Sequence, residues 1–174
     1  PHKWLFSPYD CGAILYRDPE QAREAHQQEG SYLDIFRDEG ARGFNPSDYQ
    51  IQLTRRLRGM PLWFSLATHG TDKYKWAVER GITLARESGE LIRQETHLEL
   101  VREPSLSCVL FRRKDWKPED YTHWTYKNHK AGLALVAPTK WASGDGYETV
   151  LRFCFINPDT TRSDVQAILD TLRD

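Results

Sequence analysis

A lysine stands among aromatic and apolar residues at the start of the chain, in the string His2-Lys3-Trp4-Leu5-Phe6. A lysine amine is a nucleophile only after it loses a proton, and burial or a special neighbour promotes that loss. The setting is therefore compatible with a lysine that forms a Schiff base. The alternative is an ordinary lysine near a terminus that points into water, and composition alone favours this alternative.

A second candidate is an arginine within an apolar stretch near the end of the chain. In a strand over Thr149 to Ile156, side chains alternate, so Arg152 shares a face with Val150 and Cys154. An arginine with apolar neighbours is expected to be partly buried and to need an anionic partner. The residues alone favour an Asp or Glu of the same chain. The alternative is a position at the rim of an active site.

The elements that position these residues follow from hydrophobic periodicity and helix-capping residues. The order from about residue 96 is strand, strand, helix, strand, strand, helix, which predicts an antiparallel sheet with helices on one side. The expected strands are a buried strand over Trp4–Tyr16 and shorter strands over Leu98–Val101, Cys108–Arg112, Leu133–Ala137 and Thr149–Ile156. The expected helices are a short one near Glu20–Gln27, one from Thr71 or Asp72 to Glu95, one that starts at Pro118 and ends just before Gly132, and a closing helix that Thr161 opens.

Composition narrows the class of protein. The 174 residues include 24 basic and 25 acidic side chains, and a net charge of −1 argues against a general nucleic-acid binder. The longest run without charged or polar residues, Ala131–Pro138, is far shorter than the roughly 20 residues of a membrane helix. Cys11, Cys108 and Cys154 are widely separated, which fits neither a disulfide framework nor a zinc site, and the histidines show no metal-ligand spacing. These features predict a cytoplasmic protein without a metal.

Four segments together resemble one enzyme family. The string from His2 to Phe6, followed by Tyr9-Asp10-Cys11-Gly12-Ala13, resembles the cofactor-lysine segment of the pyridoxal-phosphate-dependent group II amino acid decarboxylases, which act on aromatic amino acids, histidine and glutamate. The other three follow in family order: Gly30-Ser31-Tyr32-Leu33 resembles the tip of the mobile catalytic loop, Leu53–Arg58 with Leu62-Trp63-Phe64 an arginine-rich segment and helix, and Val150–Phe153 a late strand. The resemblance implies an α/β chain of the PLP-dependent transferase type, fold type I.

The resemblance also implies a role for each matching residue. Lys3 would bind pyridoxal 5'-phosphate as a Schiff base, and His2 would lie beside the cofactor phosphate. Tyr32 would supply or relay the proton that returns to the α-carbon. Thr54 would approach the phosphate of the partner subunit, where the family more often has glycine or serine. Arg152 would contact the catalytic loop or the substrate carboxylate.

The implied reaction is decarboxylation of an L-amino acid to its amine and carbon dioxide. One alternative is oxidative decarboxylation to an aldehyde, which a phenylalanine in place of Tyr32 would favour. Another is a small α+β interaction domain without catalytic activity. The identity of the amino acid is left open, since aromatic, acidic and basic side chains are all compatible with the sequence.

The resemblance further predicts how the chain is organised. Residues 1–48 would end the large cofactor domain and include the catalytic loop, residues 49–95 would form connecting helices, and residues 96–174 a small C-terminal α+β domain. In the family, the groups that stack on the cofactor ring and pair with its nitrogen precede the lysine. We therefore expect this chain to need the N-terminal part of the same enzyme, to act as a homodimer, and to bind the cofactor poorly by itself.

Overall fold

The computed structural model describes residues 1–27 and 44–173, so the predicted loop tip with Tyr32 lies outside the described residues. The chain divides into two units, Pro1–Ala67 and Thr68–Asp174. Its elements are helices α1 (Pro19–His26), α2 (Met60–Gln94), α3 (Pro118–Lys130) and α4 (Arg162–Asp170), a short 3-10 helix (Pro46–Tyr49), and strands β1 (Leu98–Leu100), β2 (Cys108–Arg113), β3 (Pro138–Ser143) and β4 (Gly146–Cys154).

In the described part of the first unit, the regular structure consists of two capped helical segments and the start of α2. Helix α1 begins after Asp18, whose carboxylate accepts a hydrogen bond from the Glu20 N–H at 3.0 Å. The 3-10 helix begins after Asn45, whose side-chain oxygen accepts from the Ser47 N–H at 3.2 Å. The helix expected near Glu20–Gln27 is therefore confirmed.

The prediction of a buried strand over Trp4–Tyr16 is wrong. Tyr9 is 85% exposed and Leu15 is 97% exposed. A strand is stable only when its backbone groups pair with a neighbour, and no strand in the described part of the chain pairs with this segment. Its apolar character therefore does not place it within the sheet.

Helix α2 is interrupted at one glycine. Gly70 has φ 71° and ψ 166°, a backbone conformation that glycine adopts without steric cost. The portion after Gly70 matches the helix predicted from Thr71 or Asp72, and its expected apolar face is buried at Leu84, Ala85 and Ile92. Within residues 1–27 and 44–173, no helix is long and apolar enough to cross a membrane.

The second unit is built on a four-stranded antiparallel sheet with strand order β1-β2-β4-β3. Strands β3 and β4 form a hairpin in which Ser143 pairs with Gly146 across a two-residue turn, and Gly144 has φ 57° there. The strand predicted over Leu133–Ala137 is wrong, because the hairpin register begins at Pro138 instead. The other three strands predicted in this region correspond to β1, β2 and β4 and are confirmed, as are the predicted helices α3 and α4.

The core of the second unit lies on one face of the sheet. Val109 pairs with Phe153 and Phe111 with Leu151, so these side chains share the face that the helices cover. The buried residues that the helices contribute to this core are Leu84, Ala85, Leu91 and Ile92 from α2, Tyr121 and Trp124 from α3, and Val165 and Leu169 from α4. The predicted arrangement, an antiparallel sheet with helices on one side, is therefore confirmed.

Candidate functional site

Lys3 lies in a tight backbone turn at the start of the first unit. The Leu5 N–H donates to the Pro1 carbonyl at 3.2 Å, and the Phe6 N–H donates to the Lys3 carbonyl at 3.1 Å. Phe6 has φ 50°, in the left-handed region that costs a non-glycine residue about 1–2 kcal/mol. Such strained positions are concentrated at functional sites, where the surrounding structure holds them in place.

The amine of Lys3 is accessible. Lys3, Leu5 and Phe6 are all exposed, so the apolar neighbours in the sequence do not bury the Lys3 side chain within this unit. His2 is exposed as well, and its ring lies against the ring of Tyr9 with centroids 5.4 Å apart and planes tilted by 59°. The turn therefore presents a primary amine and an imidazole from adjacent residues.

The turn is anchored beneath by two small buried residues. Ser7 is 6% exposed and Cys11 is 7% exposed. The Ser7 N–H donates to the Pro1 carbonyl at 3.5 Å, while the buried Ser7 hydroxyl has no hydrogen-bond partner among the residues that the structure describes. An unpaired buried hydroxyl costs free energy, so this turn retains an unsatisfied donor and acceptor close to Lys3.

Thr54 and the arginines that follow it are exposed. The Nε atom of Arg58 lies 3.4 Å from a carboxylate oxygen of Asp10, which links the arginine-rich segment to the first segment of the chain. No hydrogen bond in the described part of the chain joins the Thr54 side chain to His2 or Lys3. The structure thus places Thr54 on the surface of the first unit, without a hydrogen bond to the described residues of the lysine turn.

The first unit contains a cleft of about 850 Å³ that was not predicted from the sequence. Ile14 and Leu15, predicted to lie in a buried strand, line it together with Ile51 and Arg55. On the same wall the Tyr16 hydroxyl lies 3.0 Å from the His26 Nε2 atom. Of the predicted site residues that the structure describes, none lines this cleft.

Arg152 lies on the sheet face opposite the helices, directly across from Leu110 of β2. Its side chain is exposed, and no hydrogen bond or ion pair engages it among the residues that the structure describes. Glu148, an acid on the same strand, forms an ion pair with Arg112 instead, with Nη2 of Arg112 lying 3.0 Å from Oε1 of Glu148. The prediction that Arg152 is partly buried is therefore wrong, and the acidic partner predicted within the chain is not found among residues 1–27 and 44–173.

Three of the titratable groups with shifted pKa values lie in the second unit. Burial raises the pKa of Tyr121. A hydrogen bond from Arg173 lowers the pKa of Glu95, and burial lowers the pKa of His97. In the described ranges, no three His, Cys, Asp or Glu side chains cluster so that they could hold a metal ion.

Comparison with known protein families gives one match that covers most of the chain. The family described as "Pyridoxal-dependent decarboxylase conserved domain" matches residues 1–114. An aromatic-L-amino-acid decarboxylase of Bacillus atrophaeus is 26% identical over 179 residues, covering 97% of this chain and 36% of the relative. An L-2,4-diaminobutyrate decarboxylase of Acinetobacter baumannii is 34% identical over 111 residues, covering 64% of this chain and 22% of the relative.

A solved structure shares the fold. The apo form of mouse CSAD matches with a TM-score of 0.73 and 22% identity, covering 99% of this chain and 37% of that chain. The expected fold class, an α/β chain of the fold-type-I kind with an antiparallel α+β portion, is confirmed by this likeness. The chain spans about a third of the length of the relatives that it matches over most of its residues.

Proposed function

The chain belongs to the pyridoxal-dependent decarboxylase family, and from that premise we propose that it is part of an enzyme that converts an L-amino acid to its amine and carbon dioxide. The observation that carries this proposal is the exposed amine of Lys3, held in a strained turn beside His2. The segment lies within the residues that match the family.

The residues of the turn fit the cofactor that the family name implies. An aldehyde cofactor needs a primary amine that can reach it, and the Lys3 side chain is exposed. The exposed His2 imidazole can donate a hydrogen bond to a phosphate. When bound, pyridoxal 5'-phosphate supplies an electron sink for the pair released as the carboxylate leaves.

We assign the remaining roles by position in the family pattern. Lys3 binds the cofactor through Nζ, and His2 lies beside its phosphate. Tyr32, which lies outside the described residues, would supply or relay the proton that returns to the α-carbon. Thr54 approaches the phosphate held by a partner subunit.

Arg152 is assigned the contact with the substrate carboxylate or the catalytic loop. Its guanidinium is exposed and has no acidic partner in the described part of the chain. A guanidinium binds a carboxylate with two parallel hydrogen bonds, which orients the carboxylate as well as attracting it. The free guanidinium supports a role in binding an anion that is supplied from outside this unit.

The substrate side chain stays open. The two relatives described above act, by their names, on aromatic amino acids and on L-2,4-diaminobutyrate. Both are decarboxylases, so they do not favour the alternative of oxidative decarboxylation to an aldehyde. They also count against the alternative of a non-catalytic interaction domain.

The proposal extends to the whole protein. We propose a cytoplasmic homodimer in which this chain acts together with the N-terminal part of the same enzyme. Within the chain, residues 1–48 would complete the cofactor domain, 49–95 would connect, and 96–174 would form the small domain. This division stays a prediction.

Reduction with borohydride tests the assignment of Lys3 directly. The full-length protein is loaded with pyridoxal 5'-phosphate, reduced, digested with trypsin and examined by mass spectrometry. We expect a phosphopyridoxyl group on Lys3 and on no other lysine of this chain, with Lys73→Arg, a change of an exposed helix lysine, as the matched control. An adduct on another lysine, or none at all, would overturn the assignment.

Product analysis separates simple decarboxylation from oxidative decarboxylation to an aldehyde, since hydrogen peroxide and ammonia accompany carbon dioxide only in the oxidative reaction.

A further inference from the structure

Two cysteines that are distant in sequence face each other across the sheet. Cys108 of β2 pairs directly with Cys154 of β4, and their Sγ atoms lie 3.4 Å apart. The two residues are 46 positions apart in the chain. The wide spacing of the cysteines in the sequence argues against a disulfide framework, and this contact arises only from the register of the strands.

The backbone geometry at this pair suits a disulfide. The Phe155 N–H donates to the Ser107 carbonyl at 2.9 Å, and the backbone of Cys108 bonds instead to Ser105 on its other side, at 3.0 and 3.1 Å. Cys108 and Cys154 therefore form a non-hydrogen-bonded pair, in which Cα atoms are about 4.5 Å apart. Disulfides join Cα atoms at roughly 4.4–6.8 Å, so the bond can close without moving the strands.

The pair lies on the sheet face that the helices of this unit leave uncovered. Both cysteines are exposed, and so is Arg152, which lies on the same face two residues before Cys154. Arg152 places a positive charge on this face, which is complementary to a small disulfide that carries carboxylates, such as oxidised glutathione. The third cysteine, Cys11, is buried in the other unit.

We propose that Cys108 and Cys154 form a dithiol that closes reversibly to a disulfide by exchange with a small-molecule disulfide. One cysteine thiolate attacks the external disulfide, which forms a mixed disulfide and releases one external thiolate. The second cysteine thiolate attacks the protein sulfur of the mixed disulfide and releases the other. The two protein thiols are oxidised by two electrons, the external disulfide is reduced to two thiols, and the two protons that leave the cysteines balance the released thiolates.

A disulfide between Cys108 and Cys154 adds a covalent link within the sheet. It ties β2 to β4, the two central strands, and encloses the segment that contains α3 and β3. A cross-link over a loop of this length reduces the freedom of the unfolded chain. The oxidised protein is therefore expected to unfold at a higher temperature than the reduced protein.

The test equilibrates the full-length protein with mixtures of oxidised and reduced glutathione. The reaction is stopped with acid and an alkylating reagent, and tryptic peptides are analysed without reduction. We expect peptide Glu103–Arg112 to appear linked to Phe153–Arg162, with two hydrogen atoms lost, while both alkylated peptides disappear together. Added reduced glutathione should reverse the link.

Two variants serve as controls. Cys11→Ser should leave the linked peptide unchanged, and Cys154→Ser should remove it and leave Cys108 as a mixed disulfide with glutathione. Recovery of both cysteines as separate glutathione adducts in the native wild-type protein would overturn the proposal. A link between two chains, seen as a dimer on a non-reducing gel, would also overturn it, as would the absence of any reaction at both thiols. The wild-type measurement is decisive even if a variant fails to fold.

Discussion

The hydroxyl of Tyr121 forms two hydrogen bonds with the backbone of one residue, Arg113. It accepts from the Arg113 N–H at 3.2 Å and donates to the Arg113 carbonyl at 3.0 Å. Burial raises the pKa of Tyr121, so the phenol keeps the proton that it donates. The Nε atom of Arg113 in turn donates to the Leu172 carbonyl at 2.8 Å. The end of β2 is thus joined to α3 and to the residues after α4.

Removing this hydroxyl should destabilise the second unit. Tyr121→Phe retains the ring but removes both hydrogen bonds to Arg113, although the Arg113 carbonyl still accepts from the Trp116 N–H at 3.4 Å. The loss costs about 1–3 kcal/mol. Urea unfolding followed by tryptophan fluorescence measures the change. Tyr126→Phe is the matched control, because Tyr126 lies on the same helix and is 72% exposed. Equal stability of the two variants would show that the hydrogen bonds contribute nothing.

At Gly89 the helix α2 packs against the loop before β2. A Cβ atom at this position would lie 2.8 Å from Cγ of Pro104 and 3.6 Å from a methyl group of Leu100. Gly89→Ala gains helix propensity of about 0.5–1 kcal/mol, but overpacking against a rigid proline ring costs about 1–3 kcal/mol. We expect a net loss of about 1–2 kcal/mol in the free energy of unfolding. Thr83→Ala, an exposed change on the same helix, should be neutral or slightly stabilising. A Gly89→Ala protein more stable than the wild type would contradict the packing argument.

Much of the second unit could be predicted from local patterns. Pro118 and Gly132 bracket α3, and Thr161 caps α4 through a hydrogen bond from the Asp164 N–H at 3.2 Å. These signals act within a few residues of the chain. The strand over Leu133–Ala137 was wrong because an apolar run carries no information about the partner that fixes its register.

The geometry of the candidate site could not be predicted from such local patterns. The Lys3 turn depends on the left-handed Phe6 backbone, for which the sequence carries no glycine or asparagine signal. The contact between Cys108 and Cys154 depends on which strands pair, and that is decided by tertiary packing. Only the resemblance to a family identified Lys3, since composition favoured an ordinary surface lysine.

The pairing of Glu95 with Arg173 predicts a dependence of stability on pH. Arg173 donates to Glu95 at 2.7 Å and holds the pKa of that carboxyl below its ordinary value of 4.5, and His97 and Gln166 also face it. Because the folded pKa is lowered, the contribution is present above pH 4.5 and is lost as pH falls through the folded pKa. Glu95→Gln should therefore be less stable than the wild type at neutral pH, by about 0.2–1 kcal/mol, since the pair remains partly in water.

Thermal unfolding measured between neutral pH and acid checks this expectation. The difference between the wild type and Glu95→Gln should shrink as the carboxyl of Glu95 becomes protonated. Glu99→Gln is the control, because Glu99 lies on β1 with an exposed side chain. A stability difference that stays constant down to acid would show that the charge of Glu95 is not its source.

Arg152 offers a prediction that separates function from stability. Its side chain is exposed and has no partner in the described part of the second unit, so Arg152→Ala should change the free energy of unfolding by less than about 0.5 kcal/mol. If Arg152 binds the substrate carboxylate or the catalytic loop, losing a charge-assisted hydrogen bond of about 1.5–3 kcal/mol lowers kcat/KM by about 10- to 100-fold. The measurement is carbon dioxide release by the full-length enzyme.

Two further variants make the Arg152 experiment decisive. Arg86→Ala removes an exposed arginine from α2 and should leave kcat/KM unchanged. Arg152→Lys retains the charge but cannot form the paired hydrogen bonds of a guanidinium, so it should recover activity only in part. A loss confined to KM indicates substrate binding, whereas a loss in kcat indicates contact with the catalytic loop. Full activity in Arg152→Ala would remove Arg152 from the proposed site, because an exposed arginine with neither a structural partner nor a catalytic effect is an ordinary surface residue.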